Sequence, residues 1–108
     1  MAAKRIEMVT ESMFYTLMAF TQGERTGAEA AAFVQEATHG RVRLGPATLY
    51  TILGRFEEEG VLHETATQGR KRYYALTGRG HALYQDEIAR MELCLRDAQT
   101  AGKGDSLQ

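Results

Sequence analysis

Apolar residues recur at helical spacing along most of this chain, and they divide it into elements. Leu49, Ile52, Leu53 and Phe56 share one face of a helix over about residues 45–60, with Pro46 suited to its first turn and Gly60 to its stop. The other face carries Ala47, Thr48, Tyr50, Thr51 and Arg55. A solvated helix usually shows Lys, Glu and Gln there, whereas small, hydroxylated and basic residues suit a helix that reads base edges in a major groove. The same pattern also fits a short amphipathic core helix with an incidental polar face.

Ahead of this stretch, Thr10 predicts the cap of a first helix reaching about Gln22, after a short arm holding Lys4 and Arg5. Phe14, Leu17, Met18 and Thr21 form one stripe on it, and Met13, Leu17 and Phe20 a second. An apolar face that wide needs two packing partners: its own core and a second subunit, or a core that surrounds it. After a turn at Gly23–Arg25, Thr26 and Glu29 read as a capping box. The helix they open runs to about His39, with Ala30, Ala31, Phe33, Val34 and Ala37 inward and Gly40 ending it. Arg41-Val42-Arg43-Leu44 alternates as a short extended segment does, with both arginines on one side.

Beyond the central helix, Val61–Thr65 and Arg72–Leu76 read as strands around a polar loop from Ala66 to Lys71, making a hairpin with a basic tip. Thr77 then caps a last helix, on which Tyr84, Ile88, Met91, Leu95 and Ala98 form a heptad seam that His81 extends backwards. A helix over residues 77–101 would be about 37 Å long, too long for so small a domain to cover, so a second copy is its natural cover. The expected fold is mainly α with a small β-hairpin wing: a winged helix-turn-helix with a long C-terminal helix. The domains follow as 8–76 for the winged head, 77–101 for a dimerisation helix and 102–108 for a flexible tail.

Composition changes the picture in two respects. The net charge of −1 does not advertise a polyanion binder, yet residues 41–73 hold six bases against four acids, +2, and leave −3 elsewhere. The wing run Arg70-Lys71-Arg72 follows the candidate reading helix directly and suits phosphates better than a merely solvated turn does. The lone Cys94 excludes an internal disulfide framework and fits a reducing cytosol, so a cytoplasmic location is expected, with the thiol packed in the last helix. No apolar run reaches membrane-spanning length, so no membrane partner is expected. His39, His63 and His81 lack metal-ligand spacing and no phosphate-cradling glycine loop is present. Neither an enzyme nor a cofactor is therefore expected.

Two motifs at a fixed separation carry a resemblance. Gly45-Pro46-Ala47-Thr48-Leu49-Tyr50, with Leu53 and Phe56-Glu57-Glu58-Glu59-Gly60-Val61-Leu62, resembles the PadR family of bacterial transcriptional regulators, and so does the run from Gly69 to Thr77 with Gly80 after it. The likeness spans about residues 8–100. It implies a homodimer that binds double-stranded DNA at an inverted-repeat operator, usually as a repressor. The family's recognition-helix tyrosine matches Tyr50, its neighbouring hydroxyl Thr48, and its basic wing Arg70, Lys71 and Arg72. Three departures stand out: Thr26-Gly27-Ala28 where the family often has His-Gly-Tyr or Tyr-Gly-Tyr, Pro46 where a small residue is common, and no tryptophan of the kind some short members use to sandwich flat drugs.

The expected DNA-binding residues are Arg43, Ala47, Thr48, Tyr50, Thr51, Arg55, Arg70, Lys71 and Arg72. The expected dimer interface is Met13, Leu17, Phe20, Tyr84, Ile88, Met91, Leu95 and Ala98. A ligand-gated version would take a small hydrophobic effector between the long helices, near Met13, Tyr84 and Met91. The alternative from a different class is a winged-helix protein-interaction module without DNA binding, which the acidic total and the three-glutamate run favour.

Overall fold

The computed structural model describes Ile6 and residues 8–104. The arm residues Lys4 and Arg5 and the end of the expected tail, 105–108, lie outside the described residues. Among those described, the order is α1 (Glu11–Phe20), β1 (Arg25–Thr26), α2 (Gly27–Ala37), α3 (Pro46–Glu58), β2 (Leu62–Gln68), β3 (Lys71–Leu76) and α4 (Gly78–Gly104). This is the winged helix-turn-helix plan with a long last helix. One strand is added: β1 pairs antiparallel with β3, giving a sheet in the order β1-β3-β2.

Local chemistry sets most boundaries. The Thr10 hydroxyl accepts from the Met13 N–H at 3.1 Å and opens α1. Thr26 accepts from the Glu29 N–H at 3.1 Å, while its own N–H donates to Glu29 Oε1 at 2.9 Å, completing the capping box. Because Thr26 is also paired with Tyr73, this one residue joins the sheet to α2. Helix α2 closes with the Gly40 N–H on the Gln35 carbonyl, 2.8 Å, and the His39 N–H on that of Glu36, 3.2 Å. His39 takes the left-handed turn ahead of Gly40, with φ of 52°. Helix α3 closes the same way through Gly60, φ 73°, where a side chain would be strained.

The core gathers the inward faces. Leu49, Ile52, Leu53 and Phe56 of α3 are all buried, together with Leu17, Phe20, Val34, Val61, Leu62, Tyr74 and Leu76. Burying a side chain of that size stabilises by about 1.5–3 kcal/mol, so α3 is anchored by its inner face and its outer face is free of packing duty. Phe20 meets Tyr74 edge to face at 6.4 Å, locking α1 onto β3.

Several expectations are corrected. Helix α1 ends at Phe20 rather than Gln22, and Ala37 is exposed rather than inward. Residues 41–44 form no strand, although Val42 is buried between the exposed Arg41 and Arg43 because its N–H is held by the Thr38 hydroxyl at 3.0 Å. The hairpin turn has two residues, not six: Gln68 pairs with Lys71, and Gly69 takes φ of 61° at the first turn position, as a tight type II′ connection requires. Helix α4 runs past residue 101 to Gly104, into the expected tail.

The junction leading into α4 is unusually close. The Thr77 N–H donates to the Val61 carbonyl at 3.0 Å, its hydroxyl donates to that of Gly60 at 2.5 Å, and the Gly80 N–H donates to the Thr77 hydroxyl at 3.0 Å. A Cβ on Gly80 would lie 2.2 Å from the Val61 carbonyl oxygen and 2.8 Å from Leu76 Cδ2. Gly54, by contrast, has nothing within 4 Å of the equivalent position. Gly80→Ala is therefore expected to lower stability by about 1–3 kcal/mol or more. Gly54→Ala should raise it by about 0.5–1 kcal/mol. Urea unfolding of the two variants checks this, and equal effects would contradict the close approach.

Candidate nucleic-acid interface

The outer face of α3 is built from the residues its period leaves behind. Ala47, Thr48 and Thr51 are exposed and Tyr50 is 64% exposed, while Leu49 between them is buried. Tyr50 thus projects from the face opposite the one that packs the core. The first turn of α3 has no acidic residue and no side-chain cap, so its N–H groups and dipole favour an anion nearby. Arg43 is exposed just before that turn, with Nε donating to the Gly40 carbonyl at 3.3 Å.

Arg55, expected at a phosphate, stands beside an acid. It is half-buried on the last turns of α3, and its Nε lies 4.0 Å from Glu59 Oε2, an ion-pair distance too long for a hydrogen bond. Glu59 itself is buried and also meets Arg79 of α4 at 3.5 Å. This links the end of α3 to the start of α4, and engages the guanidinium that was expected at a phosphate.

The wing divides its cations into two kinds. Arg70 in the turn and Lys71 at the start of β3 are exposed at the tip. Arg72 is committed to carboxylates: its Nε and Nη2 donate to Glu64 Oε1 at 3.0 and 2.8 Å, and Nη2 lies 3.6 Å from Glu57 Oε2 on α3. Its guanidinium also sits over the Tyr74 ring at 5.5 Å. The hydrogen bond to Glu64 raises the Arg72 pKa further above its ordinary value, with Tyr74 next among the causes. Arg72, expected with Arg70 and Lys71 at the DNA backbone, thus stands between two acids.

The expected dimer residues also separate. Leu17 and Phe20 are sealed in the protomer core, at 0% and 2% exposure, and have no surface to give a second copy. Met13 lines a shallow groove between α1 and α3 with Thr10, Ala47, Thr48 and Thr51, not a groove on α4. On α4, Tyr84, Ile88 and Met91 are half-buried, Leu95 is 60% exposed and Ala98 is exposed. Tyr84 stacks on Phe14 at 5.3 Å, and burial raises its pKa. Phe14 was visible in the sequence as a stripe residue on α1, but its partner was not. The buried Glu87, hydrogen-bonded to Arg90 at 3.0 Å, was also missed, although the i, i+3 spacing is a readable signal.

Cys94, expected to be packed, is exposed, with Arg90 Nη1 3.6 Å from its sulfur. Among the described residues no group of three or more His, Cys, Asp or Glu is arranged to hold a metal ion. No helix among them is long and apolar enough to cross a membrane.

The Glu64 carboxyl is held below the usual range, first by the Thr67 hydroxyl and then by Arg72. With a depressed folded pKa, the stability it contributes is present above the ordinary glutamate value and is lost as pH falls through the folded one. Thr67→Ala and Arg72→Ala should each move its midpoint up toward the ordinary glutamate value. A carboxyl carbon NMR titration would reveal this, and an unmoved midpoint would mean that neither contact persists in solution.

Comparison with known proteins supplies the family. Residues 16–86 match the model of the transcriptional regulator PadR-like family. A transcriptional regulator from Clostridium thermocellum is similar in structure, with a TM-score of 0.74 at 19% identity over 86% of this chain and 97% of that one. A PadR-like regulator from Bacillus cereus gives 0.69 at 16% identity over 83% and 89%. Bacillus subtilis PadR, solved in complex with operator DNA, gives 0.65 at 20% identity over 73% of this chain and 47% of its own. No curated protein matches the chain.

Proposed function

The chain belongs to the PadR-like family of transcriptional regulators, and from that premise we propose that it is a homodimeric repressor that binds an inverted-repeat operator in double-stranded DNA. The family is one of regulators, not of enzymes. The observation that carries the reading is the division of α3: its apolar residues are buried, while Thr48, Tyr50 and Thr51 stand in solvent ahead of the exposed Arg70 and Lys71 of the wing. The operator complex of the Bacillus subtilis relative supports it at the level of the shared fold.

In this reading residues 8–76 form the DNA-binding head, and α3 enters the major groove. Thr48, Thr51 and Ala47 meet base edges, and the Tyr50 ring meets a thymine methyl while its hydroxyl reaches a phosphate. Arg43, Arg70 and Lys71 neutralise phosphates; Arg55 and Arg72 do not. The second subunit covers Ile88, Met91, Leu95 and Ala98 of α4, and the pairing holds two reading helices about 34 Å apart, one turn of DNA. A small hydrophobic effector would enter between α1 and α4, where Phe14 and Met91 line a groove with Glu87 and Arg90.

Titration of a duplex from the chain's own upstream DNA tests the head. Arg70→Ala with Lys71→Ala should weaken binding across sequences and reduce the salt slope by about 0.9 for each phosphate no longer neutralised. An unchanged slope would remove the wing from the interface, and no retardation of any duplex would favour a protein-interaction module.

Sedimentation equilibrium tests the pairing. Two copies of this 12.0 kDa chain are expected in one particle, and Leu95→Glu should convert it to the monomer, because a charge would then lie in the apolar seam. A wild-type monomer would refute the dimer.

A further inference from the structure

The distal wing has little apolar burial to hold it in place. Leu62 is buried, but every later residue of β2 is exposed, as are Lys71 and Arg72 at the start of β3. The pairing is interrupted between Glu64 and Ala66, where Thr65 is bulged, and such a bulge bends a ribbon and increases its twist. A two-stranded ribbon of this kind is marginal without support from the body. β1 pairs with Tyr73 and Tyr74 near the ribbon's root, and the direction of the part beyond, with the cations at its tip, is left to polar side-chain ties. Two are present among the described residues: the Thr65 hydroxyl donates to Glu24 near the wing root, and Arg72 connects Glu64 of β2 to Glu57 of α3 further out.

We propose that Arg72 is a positioning residue that clamps the wing against the recognition helix, so that Arg70 and Lys71 are presented to the DNA backbone at a fixed height relative to Thr48 and Tyr50. The clamp rests on the DNA-binding reading for its purpose but not for its geometry. Arg72 follows Lys71 directly, and at about 3.4 Å per residue a fixed Arg72 leaves the tip little room to swing. The guanidinium suits the task because its planar fork can donate to Glu64 and still face Glu57, which a lysine would do less well. Any phosphate it met would lie beside two carboxylates, which makes it a weaker backbone contact than Arg70 or Lys71.

Glu57→Ala discriminates by sign. It removes a negative charge from the protein, so electrostatics alone predicts tighter DNA binding. The clamp predicts binding weaker by about two- to five-fold, the scale of an exposed ion pair, with an unchanged salt slope. The loss should vanish in a chain that already carries Arg70→Ala and Lys71→Ala, since there are then no tip cations left to position. Tighter or unaltered binding, or a loss that persists at full size in that background, overturns the clamp. A merely destabilising role would not disappear with the tip cations.

A second readout needs no DNA. Backbone amide order parameters at residues 69–71 should fall in Glu57→Ala while those of α3 stay constant, and unchanged values at the tip overturn the proposal. If wild-type protein retards no duplex, the functional reading fails on its own, and the order parameters still decide whether Arg72 holds the wing.

Discussion

The Val61 carbonyl is where the working parts of this molecule are joined. It follows the glycine that stops α3, begins the path into β2, and accepts the Thr77 N–H as β3 hands over to α4. Gly80 packs so closely on it that a Cβ there would lie 2.2 Å from the oxygen. Helix α3, the wing and the long helix therefore start or end within a few residues of one hydrogen-bonded knot. A displacement of α4 cannot be absorbed locally, because interiors packed this tightly transmit strain rather than dissipate it. The Arg55–Glu59–Arg79 chain runs alongside the knot and joins the same helices by charge.

Around that junction the protein manages its charges so that an acidic chain can offer a basic surface. Glu59 and Glu87 are buried beside arginines, and Glu57 and Glu64 share Arg72. These four acids are thus occupied within the fold, while Arg43, Arg70 and Lys71 stay exposed. Net charge describes the long-range field, but a phosphate backbone responds within about a Debye length, about 8 Å at physiological ionic strength. The balance within reach of the groove matters more than the total.

The long helix carries the opposite problem, an apolar seam that the protomer covers only in part. The Phe14–Tyr84 stack fixes its first turns to α1, while Leu93 and Leu95 further along stay more than half exposed. If, as proposed, a second copy covers the outer seam, the spacing of the two heads is joined to whatever alters the α1–α4 contact.

Much of this was legible in the chain, and the legible part was local. The capping box at Thr26 and Glu29, the stop at Gly60, the Thr77 cap and the buried and exposed faces of α3 depend on residues within about one helical turn of each other. Spacing alone therefore determined them, and with them the winged plan and the outward Thr48 and Tyr50. Tertiary structure decided what depends on distant partners. β1 is two residues long and exists because β3 passes beside it. Leu17 and Phe20 read as an interface stripe, but they are sealed in the core, where Phe20 meets Tyr74 of β3. Arg72 read only as part of a basic tip, yet Glu64 is brought to it by strand pairing and Glu57 by the packing of α3 against the wing, contacts between residues separated along the chain that no periodicity encodes.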